Sequence, residues 1–226
     1  MLEGNTNGCP LPGRMPADAR EWAQRMELSN FINAYYQYRD LQAVPRCERV
    51  LMVGPGQGLG TEVLRWRRYD VTTFDIDPDR DPDEIGSVHD LSRFESGRFD
   101  AVIASHVLEH LPERYLDKAL AEIARVGRYA LVYLPVHGPY TQLRVTSNFR
   151  AVDWALLVGF TNWFERPDDA TPRYMSGQHY WEVGLRGFRV RDLTKRVEAH
   201  FEVLSSYRNR DWLPSYNFTL KSKHGS

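Results

Sequence analysis

The chain has 226 residues, 42% of them apolar and 26% charged, the proportions of a globular protein with room for one substantial core. A net charge of -1 supplies no overall attraction to nucleic acid or to an anionic membrane surface, and no apolar run approaches the about 20 residues of a membrane-spanning helix. Two cysteines, Cys9 and Cys47, are too few for a disulfide framework and lack metal-site spacing, so no metal is expected.

In chain order, residues 1–17 have no long apolar core and read as a disordered leader, not a signal peptide; a cytoplasmic location is the default. One domain is expected over residues 18–226. Its first element is a helix over 18–44, where Trp22, Met26, Phe31, Tyr35 and Tyr38 recur at roughly one-turn steps until Pro45 removes an amide donor. Then "RVLMV" is a buried strand, residues 59–68 a helix, "DVTTFDI" a second strand and "EIGSV" a weaker third. "RFDAVIAS" is apolar at successive positions, as a strand covered on both faces should be. Pro112 opens a helix over 112–126 with Leu116, Leu120 and Ile123 on one stripe, and "YALVYLP" is the fifth strand. Such alternation builds a mostly parallel sheet with helices on both faces.

Residues 138–187 break the rhythm. They are rich in aromatic residues, Trp154, Trp163 and Trp181 among them, and following the fifth strand they are expected to fold as a lid over the strands' C-terminal edge. A helix carrying Val190, Leu193 and Val197 comes next, with Arg189, Arg191, Lys195 and Arg196 as a solvated face. "FEVLSSYR" and "SYNFTLKSK" close the chain as an antiparallel hairpin.

The chemistry concentrates in "VLMVGPGQGLGTEVL", where a strand runs into Gly54, Gly56, Gly58 and Gly60 before a helix begins. A bare backbone at a strand-to-helix turn admits a ligand closely, and the helix start offers amides to an anionic group. The spacing is G-x-G-x-G, with Leu59 where a dinucleotide fingerprint has its third glycine, and no G-K-[ST] follows. Seventeen residues after Gly58, Asp75 ends the second strand, where a carboxylate can accept both hydroxyls of a ribose. Together these features point to a nucleoside-containing ligand.

"VLMVGPGQGLG", "VTTFDIDPD", "FDAVIASHVLEHL" and "ALVYLP", in this order, resemble class I S-adenosylmethionine-dependent methyltransferases, and "FDxVxxxxVLEHL" resembles the methyltransferase-domain branch. The resemblance implies a Rossmann-like α/β fold, a seven-stranded and mostly parallel sheet with an antiparallel C-terminal strand. It implies that Gly54, Gly56 and Gly58 lie against the methionine part of S-adenosyl-L-methionine, that Asp75 holds the ribose and that Ile76 packs on the adenine. The family usually accepts the adenine amino group with an aspartate of a "GD" pair. Gly86-Ser87 stands there instead, leaving Ser87, the backbone of Val88 or Asp90 for that contact. Ser105, ending strand four, joins the cofactor contacts.

The acceptor would sit at the ends of strands four and five, where His106 and His137 are the candidate bases, histidine being suited to proton removal near neutral pH. Glu109 and His110 of "LEHL" read as structural, fixing the loop, and His179 in "GQHYWE" is a further base candidate. No [ND]-P-P-[YF] follows strand four and neither cysteine lies there, which argues against methylation of DNA bases. A small molecule with a hydroxyl or amine remains as the partner, taken by a monomer or homodimer. Two other functions stay open: an oxidoreductase using a nicotinamide dinucleotide, and a non-catalytic binder of S-adenosylmethionine.

Overall fold

The structure, a computed structural model, describes residues 27–147, 152–159, 164–212 and 214–224. The expected leader, Trp22, Met26, Phe160 and Trp163 lie outside these residues.

Helix α1 (Leu28–Leu41) precedes β1 (Arg49–Val53), α2 (Leu59–Trp66), β2 (Asp70–Asp75), β3 (Glu84–Ile85) and β4 (Phe99–Ser105). Then come α3 (Glu113–Val126), β5 (Gly127–Pro135), a hairpin of β6 (Tyr140–Ser147) and β7 (Val152–Gly159), α4 (Val190–Glu198), β8 (Phe201–Arg208) and β9 (Ser215–Ser222). Seven strands form one sheet in the order β3-β2-β1-β4-β5-β9-β8. All neighbours are parallel except β9, antiparallel to both β5 and β8. This is the expected Rossmann-like sheet with its single reversed strand.

Alternation along the central strands divides the core in two, because successive side chains leave opposite faces of a pleated sheet. Leu51 and Val53 of β1, Val102 and Ala104 of β4, and Ala130, Val132 and Leu134 of β5 pack on one face with Leu116, Leu120 and Ile123 of α3. Val50 and Met52, Ala101 and Ile103, and Leu131 and Tyr133 pack on the other, against Tyr36 and Leu41 of α1 and Leu64 of α2. The near-continuous apolar runs of β4 and β5 are what two covered faces demand.

Three sequence expectations change. The described part of the first helix stops at Leu41, three residues short of Val44, and it buries Ala34, Tyr36, Gln37, Asp40 and Leu41 while Phe31 and Tyr35 are exposed. A buried Asp40 is tolerated because Arg39, Tyr133 and Tyr207 all donate to its carboxylate. The third strand keeps only Glu84 and Ile85, since the chain turns at Gly86 with its amide on the Asp75 carbonyl. The insertion is two things. Tyr140–Ser147 and Val152–Gly159 pair antiparallel with each other, outside the main sheet. Beyond it, Tyr174, Trp181, Val183 and Leu185 enter the same core as α3, and the fully buried Trp181 stacks on Phe188 at 4.7 Å and donates from its indole nitrogen to the Leu111 carbonyl.

Candidate active site at the C-terminal edge of the sheet

A parallel sheet with a reversal of strand order opens a crevice at the carboxyl ends of its strands. Here β1 sits between β2 and β4, and the glycine turn after β1 forms the crevice floor. A cavity of about 270 Å³ lies there, lined by Gly54, Gly56, Asp75, Ile76, Ser87, Val88, His106, Val107 and His110, with Asp77, Pro78 and Arg80 along one side.

Gly54 and Gly56 both have a positive φ, 64° and 61°, in the left-handed region. A Cβ at Gly54 would strike Val107, whereas one at Gly56 would meet no atom within 4 Å and project into open space. The turn therefore leaves room beside its backbone on the cavity side. Gly58 caps the start of α2 and is not part of the lining.

Asp75 reaches the cavity from the end of β2. One carboxylate oxygen accepts the Asp77 amide at 2.9 Å and the other lies 3.8 Å from the Arg80 Nε. Burial raises its pKa above the usual carboxylate range, partly countered by that amide. Arg80 also donates to the Gly56 carbonyl at 2.8 Å, so one guanidinium ties the glycine turn to the acidic strand end. Sequence reading passed over Arg80 because it lies in the irregular segment after "DIDPD", which carries no periodic signal.

Of the three alternatives for the adenine contact, Ser87 and Val88 line the wall and Asp90 does not. Ser87 Oγ is 2.7 Å from His89 Nδ1, which fixes the hydroxyl. Ser105 is turned away from the cavity and donates to Asn33 Oδ1 on α1 at 3.0 Å.

Beyond β4 the chain turns through His106, a non-glycine residue at φ 57°, a strained conformation of the kind that gathers at functional sites. Its amide donates to the Tyr133 carbonyl, its Nε2 is 3.2 Å from Ser215 Oγ and its ring lies 4.9 Å from Trp212. Burial, helped by the neighbouring His179 and His110, lowers its pKa to about 3, so the imidazole is neutral at physiological pH. His137 is elsewhere. It donates from Nδ1 to Glu182 at 2.9 Å, its ring rests on Tyr174, and it is not in the cavity wall.

The loop also assembles a group that spacing alone did not reveal. Glu109 is fully buried at 0% exposure, and burial pushes its carboxyl up to about 7. His106 Nδ1 is 3.7 Å and His179 Nε2 3.9 Å from Glu109 Oε1. His110 stands edge-on to His179 at 4.8 Å, with its pKa lowered to about 4 by burial first and by His179 second. Glu182 accepts from both His179 and His137, and these bonds outweigh its burial and hold its pKa low. Seventy residues separate Glu109 from His179, so only the packing of the insertion against the "LEHL" turn brings them together.

Residues 51–129, which supply most of this cavity, match the family model of the methyltransferase domain. Solved structures with the same fold include a SAM-dependent methyltransferase from Archaeoglobus fulgidus, at 16% identity and a TM-score of 0.57 over 91% of this chain and 99% of that one. A TehB-like SAM-dependent methyltransferase from Corynebacterium glutamicum aligns at 19% identity and 0.55 over 92% and 100%. The 1,6-didemethyltoxoflavin-N1-methyltransferase of Burkholderia thailandensis, solved with bound 1,6-didemethyltoxoflavin and S-adenosylhomocysteine, aligns at 16% identity and a TM-score of 0.51 over 92% of this chain and 91% of that one. No curated protein sequence matches the chain. Among the described residues no helix is long and apolar enough to cross a membrane.

Proposed function

We propose that this chain, built around a methyltransferase domain, binds S-adenosyl-L-methionine in the cavity described above and methylates a hydroxyl or amine of a small molecule. The observation that carries the reading is the composition of one wall. Gly54 and Gly56 leave open backbone at the end of β1, Asp75 and Ile76 close the end of β2, and Ser87 and Val88 follow β3, in the order a nucleoside with a charged tail requires. When bound, S-adenosylmethionine supplies an electrophilic methyl group. Asp75 would hold the ribose hydroxyls, and Ile76 and Val88 would cover the adenine.

Methyl transfer by direct displacement depends chiefly on placing the acceptor in line, and the group that does so should stand where β4 ends. His106 stands there with a neutral imidazole, able to accept a hydrogen bond from an O–H or N–H. Its lowered pKa makes it an orienting group and a weak base, which suits an amine or an already acidified hydroxyl. His137 acts on this site only through Glu182 and His179, as a positioning residue.

The small-molecule class rests on the absence of an overall basic charge that would draw the chain to nucleic acid. Incubating a cell extract with the protein and methyl-labelled cofactor, followed by mass spectrometry, should show one labelled metabolite. S-adenosylhomocysteine bound without any labelled product would favour a non-catalytic binder.

A further inference from the structure

Among the described residues the carboxylate of Glu109 has no hydrogen-bond partner on either oxygen, although the residue is fully buried. An ionised group in that position is costly unless something positive approaches it. The groups around it are suited to bring one. Glu109, His110 and His179 each present a donor atom, and the three atoms lie within 4.8 Å of one another. Both rings are held from behind. His110 Nδ1 donates to the Gln178 carbonyl at 3.0 Å, and His179 Nδ1 donates to Glu182 at 2.8 Å. With Nδ1–H engaged, each ring keeps its lone pair on Nε2, the tautomer a metal ligand needs. Glu182 is in turn fixed by His137 Nδ1 at 2.9 Å, completing a layer of carboxylate and histidine behind the donors.

We propose that Glu109, His110 and His179 form a binding site for one divalent transition-metal ion, with Zn²⁺ the ion best matched to two imidazoles and a carboxylate. Side-chain shifts of about 1 Å would draw the donors to bonds of roughly 2.1 Å. Three protein ligands leave a fourth position open, the arrangement of catalytic rather than structural zinc sites. His110 also lines the cavity, so the donor cluster borders it. A role in catalysis rests on the methyl-transfer reading: an acceptor oxygen bound there would release its proton to solvent more readily. The metal site itself does not depend on that reading.

The test uses the full chain, stripped with a chelator and dialysed against ZnCl₂ or MgCl₂. One Zn²⁺ should be retained per chain and Mg²⁺ should not, and Co²⁺ should give the visible absorption of a low-coordinate site with nitrogen ligands. Glu109→Gln and His179→Ala should each lower Zn²⁺ affinity at least 100-fold. His110→Ala, at a partly exposed position, should do the same, and Glu182→Gln should cost about 10–100-fold through the ring it orients. Far-UV circular dichroism and the unfolding midpoint, measured in parallel, report the fold of each variant. Wild-type protein that retains no Zn²⁺ would overturn the proposal, as would His110→Ala and His179→Ala variants that bind it unchanged. Wild-type protein that binds Zn²⁺ but not S-adenosylhomocysteine would overturn the methyl-transfer reading and leave the metal site standing.

Discussion

Asp75 and Gly56 face the same cavity with opposite requirements, one needing a charged side chain and the other none. Asp75→Ala removes a charged acceptor and should weaken S-adenosylhomocysteine binding by ~1.5–3 kcal/mol in calorimetry; an unchanged affinity would mean the ribose is held elsewhere. Gly56→Val places a β-branched residue at φ 61°, which should cost ~1–3 kcal/mol of stability. It also fills the open space beside the turn, so binding should disappear even at temperatures where the variant is folded. Normal affinity in that variant would make the glycine a turn device only. Away from the cavity, the hydroxyl of the fully buried Tyr133 donates to Asp40 at 2.6 Å, and Tyr133→Phe should cost ~1–3 kcal/mol in denaturant unfolding because a buried carboxylate loses a donor.

At the scale of elements, the aromatic insertion divides into a part that enters the core and a hairpin outside the main sheet. Trp181 has no exposed surface, a stacked partner in Phe188 and a hydrogen bond to Leu111, so Trp181→Ala should cost ~3–5 kcal/mol, read as a lower unfolding midpoint. A smaller loss would show that the core closes over the gap. Among the described residues β6 and β7 pair with each other, and Gln142 donates to the Arg210 carbonyl at 3.3 Å. Replacing residues 141–158 with a short Gly/Ser linker should therefore leave the fold and cofactor affinity intact. If the hairpin selects the acceptor, turnover should vanish; full turnover would remove it from the site.

For the whole molecule the strongest check is linkage. A ligand that binds only the folded chain stabilises it by about 2.7 kcal/mol at a hundredfold excess over its Kd. For a protein of this size that is a rise in Tm of roughly 5–10 °C. S-adenosylhomocysteine should produce such a rise and NAD should not. The reverse result would replace the methyl-transfer reading with that of a nicotinamide-dependent oxidoreductase.

Local pattern determined the strands of the sheet. Two-faced burial of "RVLMV", "RFDAVIAS" and "YALVYLP" is written as continuous apolar runs, strand–helix alternation dictates parallel neighbours, and the last two strands read as a hairpin, whereas the seven strands with one reversed were implied by the family resemblance and their order is read from the structure. The glycine turn and Asp75 were legible for the same reason, since a backbone that must be bare and a carboxylate at a strand end are properties of single positions. What only the tertiary structure decided are relations between distant residues. Ser105 turns to α1 and His137 to Glu182, because an edge residue's direction depends on what packs beside it. Trp181 is core rather than lid, since its partners Leu111 and Phe188 lie on other segments. Glu109 and His110 read as a structural pair and His179 as unrelated to them until the insertion folds against the turn after β4 and closes a buried carboxylate among histidines. No spacing encodes that contact; the shared core does.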